Sequence, residues 1–300
     1  HVLRRWSKAR PKKSRLTEIL RPFLAIRPIG QSKPPRRSKR GSSALDARNR
    51  ILDEKYHFAK ELVAEAGAFL RQHLYDDLQI EAKTDFTDLV THLDRQVQAD
   101  MTQKILSRYP DDIIYGEESV NLQPLNQGAV WVIDPIDGTN NFVAQKTDFA
   151  VILAYLEEGQ GQFGLIYDVM QDQLYHGGGP YPVCLNQDVL PKYEDKPLHQ
   201  GLIGMSAGLF HQEKPNFRHF ALQSLGTRSY GSAGLSFCHV LTGRLMAHVT
   251  HVYPWDFVAA GILGQSLGYS LVRPDGSQPT YEGREYLLFV PTSKLEEVKG

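Results

Sequence analysis

The stretch AVWVIDPIDGTNNFV (129–143) sets Asp134 and Asp137 three residues apart, directly behind an apolar run. Two carboxylates at the mouth of a buried strand repel each other. At an effective dielectric near 20, a pair about 4 Å apart costs roughly 4 kcal/mol, which a cation removes. Acidic oxygen also stands at the ends of two other predicted elements. Glu117 and Glu118 follow IIYG, and Asp256 opens a helix behind Pro254 and Trp255. An all-oxygen set drawn from three parts of the chain suits Mg²⁺, or Mn²⁺, better than zinc. Pro135 fixes φ and lacks an N–H, which helps aim the Ile136 carbonyl as a neutral ligand. Behind Asp137, Gly138, Thr139, Asn140 and Asn141 offer N–H groups, a hydroxyl and amides to a phosphate. Metal carboxylates beside phosphate donors suggest metal-assisted phosphoryl transfer to water. In such chemistry two ions about 3.5–4 Å apart clamp the attacking and leaving oxygens.

Competing readings of these strings are weaker. A DxxDG string alone fits a plain turn. A calcium loop starting at Asp134 would need Glu at its twelfth position, where Gln145 stands. GMSAG (204–208) has the G-x-S-x-G pattern of a serine nucleophile. Between Ser206 and the last histidine, His251, the only nearby acid is Glu213, so a triad is hard to assemble and a strand end is expected. HGGGP (176–180) reads as a hairpin turn. The 11 histidines form no HExxH, and His248 and His251 are expected on a surface or in a loop.

The elements that must position these residues alternate in type. Apolar residues every three or four positions over 51–74 predict an amphipathic helix. Leu89, Leu93, Val97, Met101 and Ile105 predict a second, over 91–108, stopped by Pro110. Strands are expected at IIYG and VWVID, then at 149–156, 163–167 and 173–175 in meander-like succession. The second half offers strands at 202–206, 244–249, 269–272 and 287–290, with helices at 217–225, 232–242 and 255–267. The class is α/β in layers, with two sub-lobes, 49–190 and 191–300, meeting near the loop-like LNQDVLPKYEDKP.

Composition narrows the class further. With 41% hydrophobic residues the 300-residue chain can bury a substantial core, and no apolar run approaches the roughly 18 residues of a membrane span. Cys184 and Cys238 form no CxxC pair and fit no zinc pattern, consistent with free thiols and a cytoplasmic setting. Residues 1–50 carry 16 Lys or Arg against only Glu18 and Asp46, whereas the other 250 hold 18 basic and 32 acidic residues. A basic, Pro- and Ser-rich extension over 1–48, expected to be disordered, thus precedes an acidic body. It lacks the aromatic interleaving of a single-strand binder and is expected to take no part in the chemistry; contact with nucleic acid through it is the minor alternative.

GEES (116–119), WVIDPIDGTNNF (131–142) and PWDFVAAG (254–261) resemble the signature blocks of the inositol monophosphatase family of Mg²⁺-dependent, lithium-sensitive phosphatases. KTDFTDLVTHLD (83–94) and GSAGLSFCHVLTGRLMAHV (231–249) match in the same order, so the resemblance spans about 51–290. It implies a five-layer α-β-α-β-α sandwich, shared with fructose-1,6-bisphosphatases, and usually a homodimer. It also implies a first metal on Glu117, Asp134 and the Ile136 carbonyl. A second would sit on Asp134, Asp137 and Asp256, and a third, looser ion on Glu117 and water. Thr139, oriented with Asp94, would position and activate the water; an N-cap role for Thr139 is the structural alternative. Gly138, Thr139 and Asn140 would contact phosphate, and Gly231, Ser232 and Ala233, with Asp256, would face the rest of a small phosphorylated substrate. Lys83 and Asp88 match a flanking pair expected to order their loop. Members acting on inositol phosphate often carry Glu seven residues before the WD aspartate, where Val249 stands here. Fructose bisphosphate, 3′-phosphoadenosine 5′-phosphate and NADP-type 2′-phosphates are therefore open beside inositol phosphate.

Overall fold

Runs such as AVWVI and AVILAYL are apolar at every position because helices cover both faces of the strands they form. The computed structural model describes residues 39–83, 89–120, 122–212 and 217–298. The chain divides after Ala47 into two compact units. Of the first, only the opening of a helix is described; the basic extension otherwise lies outside the described residues, as does Asp88.

In chain order the elements begin with α1 (Lys39–Gln72), β1 (Ile80–Ala82), β2 (Leu89–Thr91), α2 (His92–Arg108), β3 (Ile113–Gly116), β4 (Ala129–Asp137) and α3 (Thr139–Ala144). A meander follows: β5 (Ala150–Glu157), β6 (Gln160–Asp168), β7 (Gln173–Gly178), β8 (Tyr181–Leu185) and β9 (Asp188–Val189). Next come β10 (Leu202–Gly204), α4 (Ala207–His211), α5 (Phe217–Leu222), β11 (Gly226–Arg228), α6 (Ala233–Leu241) and β12 (Ala247–Val252). The last are α7 (Pro254–Leu267), β13 (Tyr269–Val272), β14 (Glu285–Pro291) and α8 (Leu295–Val298). The helix predicted from residue 51 thus starts twelve residues earlier, at Lys39, and the strand predicted at 244–249 is shifted to Ala247–Val252.

Strands β3 to β9 form a seven-stranded sheet in sequence order, antiparallel except for the parallel β3–β4 pair. A five-stranded sheet runs β11-β10-β12-β14-β13. Period-two alternation sorts the side chains of the larger sheet between two cores. Trp131, Ile133, Val151, Leu153, Tyr155, Phe163 and Leu165 pack under α1 and α2. Val130, Val132, Ile152, Ala154 and Ile166 face α6 and α7, whose other side meets Leu287 and Phe289 of β14. A third core joins the far face of the smaller sheet to Leu209 of α4 and Phe217 and Phe220 of α5. Three cores between five layers give the α-β-α-β-α sandwich.

Caps explain two boundaries that matter for the site. Thr91 caps α2 with its side chain, and Asp94 returns the bond to the Thr91 backbone. Pro254 opens α7, where its missing N–H costs nothing, and Asp256 in the first turn accepts from the Tyr253 N–H at 2.8 Å. A buried ion pair anchors α1: the Lys55 ammonium donates to Asp112 at 2.5 Å and Tyr155 at 2.8 Å. Trp131 Nε1 donates to the same carboxylate. Both cysteines are buried and unpaired. No described helix is long and apolar enough to cross a membrane.

Candidate active site

The carboxylates separated in sequence come together where β3, β4 and α7 meet. Oxygens of Asp134, Asp137 and Asp256 lie within 4.8 Å of one another. The Glu117 N–H donates to the Ile133 carbonyl at 3.1 Å, which ties the end of β3 to β4 just before Asp134. Asp134 is buried, and burial together with the charges of Glu117, Asp137 and Asp256 raises its pKa well above the usual carboxylate value. Asp256 is raised by burial, then by Asp137 and Glu117. Glu117 is lifted to about 7, chiefly by burial and against the pull of Lys83.

Asp137 is secured from a different layer. The Ser232 hydroxyl and the N–H groups of Ala233 (2.9 Å) and Gly234 (2.7 Å), all at the start of α6, donate to its carboxylate. These bonds oppose the upward push of burial on its pKa. Ser232 and Ala233 therefore hold Asp137 as well as lining the adjoining cavity with Gly231. The Ile136 carbonyl, one residue before Asp137 in β4, accepts from the Thr139 hydroxyl at 3.0 Å.

Gly138 takes the left-handed conformation (φ 91°) and is itself the N-cap of α3, so Thr139 does not play the capping role. The Thr139 hydroxyl instead reaches Asp94 Oδ1 at 3.1 Å. Asp94 is 0% exposed, and its other oxygen accepts from the Thr91 N–H and hydroxyl at 2.8 and 2.7 Å. The pair is thus fixed from the α2 side. Asn140 follows on α3, and Asn141 braces the turn by donating to the carbonyls of Asp148 and Tyr230. Lys83 bridges Glu117 (2.7 Å) and Glu118 (2.5 Å).

The donor set fits a divalent cation. Among the described residues, Asp134, Asp137 and Asp256 converge, Glu117 interacts with Asp134 from beside them, and the Lys83 ammonium is ion-paired to Glu117. All candidate ligands are hard oxygens, as Mg²⁺ or Mn²⁺ prefers. Ser206, expected at a strand end, instead caps α4 through the Leu209 N–H, two residues past β10; in HGGGP the first three residues close β7, and Gly179 and Pro180 turn into β8.

The model of the inositol monophosphatase family matches residues 51–297. The chain belongs to that family. Members are phosphatases, and this inositol monophosphatase relative is accordingly a phosphoric monoester hydrolase. It is 35% identical to the inositol-1-monophosphatase of Bacillus subtilis over 245 residues, 79% of this chain and 89% of the relative. It is 30% identical to the fructose-1,6-bisphosphatase/inositol-1-monophosphatase of Thermotoga maritima, over 79% and 88%. A solved structure of SaIMPase-II with inositol monophosphate bound superposes with a TM-score of 0.74 at 29% identity, over 82% and 92%.

Sequence reasoning missed part of the cavity beside this family site. His248 lies in a strand, as the prediction over 244–249 had it, but it is 6% exposed rather than at the surface, and it lines the cavity with Arg228 and Arg284. No spacing links these three residues; only the register of the smaller sheet gathers them.

Proposed function

We propose that the protein hydrolyses a small, inositol monophosphate-like phosphate monoester with Mg²⁺, two or three ions per site, through activated water. The observation that carries this is the meeting of Glu117, Asp134, Asp137 and Asp256 beside the Thr139–Asp94 pair. Glu117, Asp134 and the Ile136 carbonyl would hold one ion, and Asp134, Asp137 and Asp256 a second. When bound, the ions supply charge neutralisation and a more acidic water. The rest falls to the chain. The start of α6 aims Asp137 and favours its ionised form against the push of burial. Asp94 orients Thr139, whose hydroxyl accepts from the attacking water as it donates to Asp94, so the proton has a path toward a buried carboxylate. Gly138, Thr139 and Asn140 offer donors to the phosphate oxygens, and Gly231, Ser232 and Ala233 line the space for the leaving alcohol. Lithium sensitivity, a homodimer and a cytoplasmic setting belong to the same proposal on the resemblance alone.

Phosphate release from inositol monophosphate, β-glycerophosphate and p-nitrophenyl phosphate, with Mg²⁺, with chelator and with added lithium, tests it. Mg²⁺-dependent turnover lost on chelation is the expected result; turnover that persists under chelator rules the scheme out.

A further inference from the structure

The turn that carries Glu117 is moulded onto one side chain of α2. Three successive N–H groups follow the end of β3. That of Glu117 donates to the Ile133 carbonyl and that of Ser119 to the Gly116 carbonyl, each at 3.1 Å. The N–H between them, on Glu118, instead donates to Oε1 of Gln98 at 2.8 Å. The same amide donates from Nε2 to the Ser119 hydroxyl at 3.2 Å. A backbone donor without a partner is unfavourable, so the shape of this turn depends on Gln98.

Gly116 shows the same dependence from the other side. It does not adopt a left-handed conformation, so its backbone alone does not call for glycine. Yet a Cβ there would stand within 2.7 Å of the carbon, oxygen and nitrogen of the Gln98 amide alike. The flat amide lies directly on the Gly116 backbone. Gln98 is buried, unusual for a long polar side chain, and both ends of its amide are engaged by the turn.

Gln98 follows Asp94 by four residues, one turn along α2 and on the same helix face. Asp94 meets Thr139 and Gln98 meets the Glu117 turn, so one face of α2 reaches two parts of the candidate site. Lys83 bonds the Glu117 and Glu118 carboxylates, while Gln98 holds the Glu118 backbone. A neutral amide suits this place. It supplies an acceptor and a donor at once, and adds no charge beside Glu117, Glu118 and Asp94.

Resting on the hydrolase reading, we infer that Gln98 is a positioning residue for Glu117, fixing the turn so that this carboxylate stands ready beside Asp134 for a divalent cation. Mg²⁺ tolerates little error in ligand geometry. Groups that orient ligands from behind change metal affinity by about 10- to 100-fold.

The test follows Mg²⁺ binding to the full chain by thermal shift, in chelator and over a Mg²⁺ series, beside phosphate release from inositol monophosphate. Gln98→Leu keeps the bulk and removes both hydrogen bonds. It should raise the Mg²⁺ concentration giving half the stabilisation about tenfold, with KM for the ester little changed. Gln98→Glu keeps an acceptor for the Glu118 N–H and should stay within about threefold of wild type. Gly116→Ala displaces the amide from the opposite side and should shift the midpoint as Gln98→Leu does; it decides the matter if Gln98→Leu does not fold. If Gln98→Leu is less stable in chelator but its Mg²⁺ midpoint is unmoved, Gln98 only packs; the inference is overturned and the hydrolase reading stands. A midpoint raised as far in Gln98→Glu as in Gln98→Leu overturns it too. A wild type that binds Mg²⁺ but releases no phosphate sinks the hydrolase reading, and the midpoints still decide the role of Gln98. A wild type that does not respond to Mg²⁺ removes both.

Discussion

Asp134→Asn separates the catalytic role proposed for the carboxylate cluster from its cost to the fold. Two unit charges 4.8 Å apart repel by about 3.5 kcal/mol at an effective dielectric near 20, and Asp134 faces both Asp137 and Asp256 within that distance. Partial protonation relieves some of the repulsion, consistent with the raised pKa values of all three. The isosteric amide keeps an oxygen to accept from the Ile136 N–H, now 3.1 Å from Oδ1. Without metal, the variant should be more stable than wild type by about 2–3 kcal/mol, or roughly 5–10 °C in Tm for a body of this size. With Mg²⁺ the order should reverse: wild type gains stability from the ion and the variant gains little. Differential scanning fluorimetry at pH 7.5, in chelator and over a Mg²⁺ series, reads both effects, and phosphate release should fall at least about 100-fold. A variant less stable than wild type in chelator would refute the repulsion argument. One that keeps its Mg²⁺ shift and its turnover would remove Asp134 from the metal site.

Two further outcomes follow from the same geometry. Thr139→Val deletes the hydroxyl between water and Asp94 and should lower kcat about 100-fold with KM little changed; a fall in kcat below tenfold would show that the hydroxyl is not on the proton path. Glu117 holds a proton in the metal-free fold up to about pH 7, whereas its unfolded counterpart releases it near 4.5. The folded state therefore binds more protons across that window, and stability falls as pH rises through it. Relative to Glu117→Gln, which cannot titrate, the wild type in chelator should lose about 3 kcal/mol between pH 4.5 and 7. Urea unfolding of both proteins at pH 5 and 7.5 measures it, and a difference that grows in favour of wild type contradicts it.

Much of the site was legible because its chemistry is local. The aspartates of DPIDGT close β4 while its glycine and threonine open α3, six consecutive residues, and the apolar strand before them announces where that junction sits. The layers were legible too, since two-sided burial shows as unbroken apolar strands and one-sided burial as the three-and-four spacing of α1 and α2. What escaped depends on contacts between distant segments. The three-residue strands β1, β2 and β11 are too short to show a period. Lys55 looks like one more solvated lysine on a helix, yet its partners Asp112 and Tyr155 lie 57 and 100 residues away. His248 sits in a string that reads as polar, and only pairing with Gly204 and Phe289 puts it inside.

The attachment of Asp137 to the start of α6 makes the carboxylate cluster a mechanical joint. Asp137 closes β4 of the larger sheet, Asp256 rides on α7, and α6 leads into β12 of the smaller one. A cation clasped by these side chains would rivet the sandwich through its middle layer. Amide exchange should then slow along α6 and α7 on metal loading, far beyond the ligands themselves.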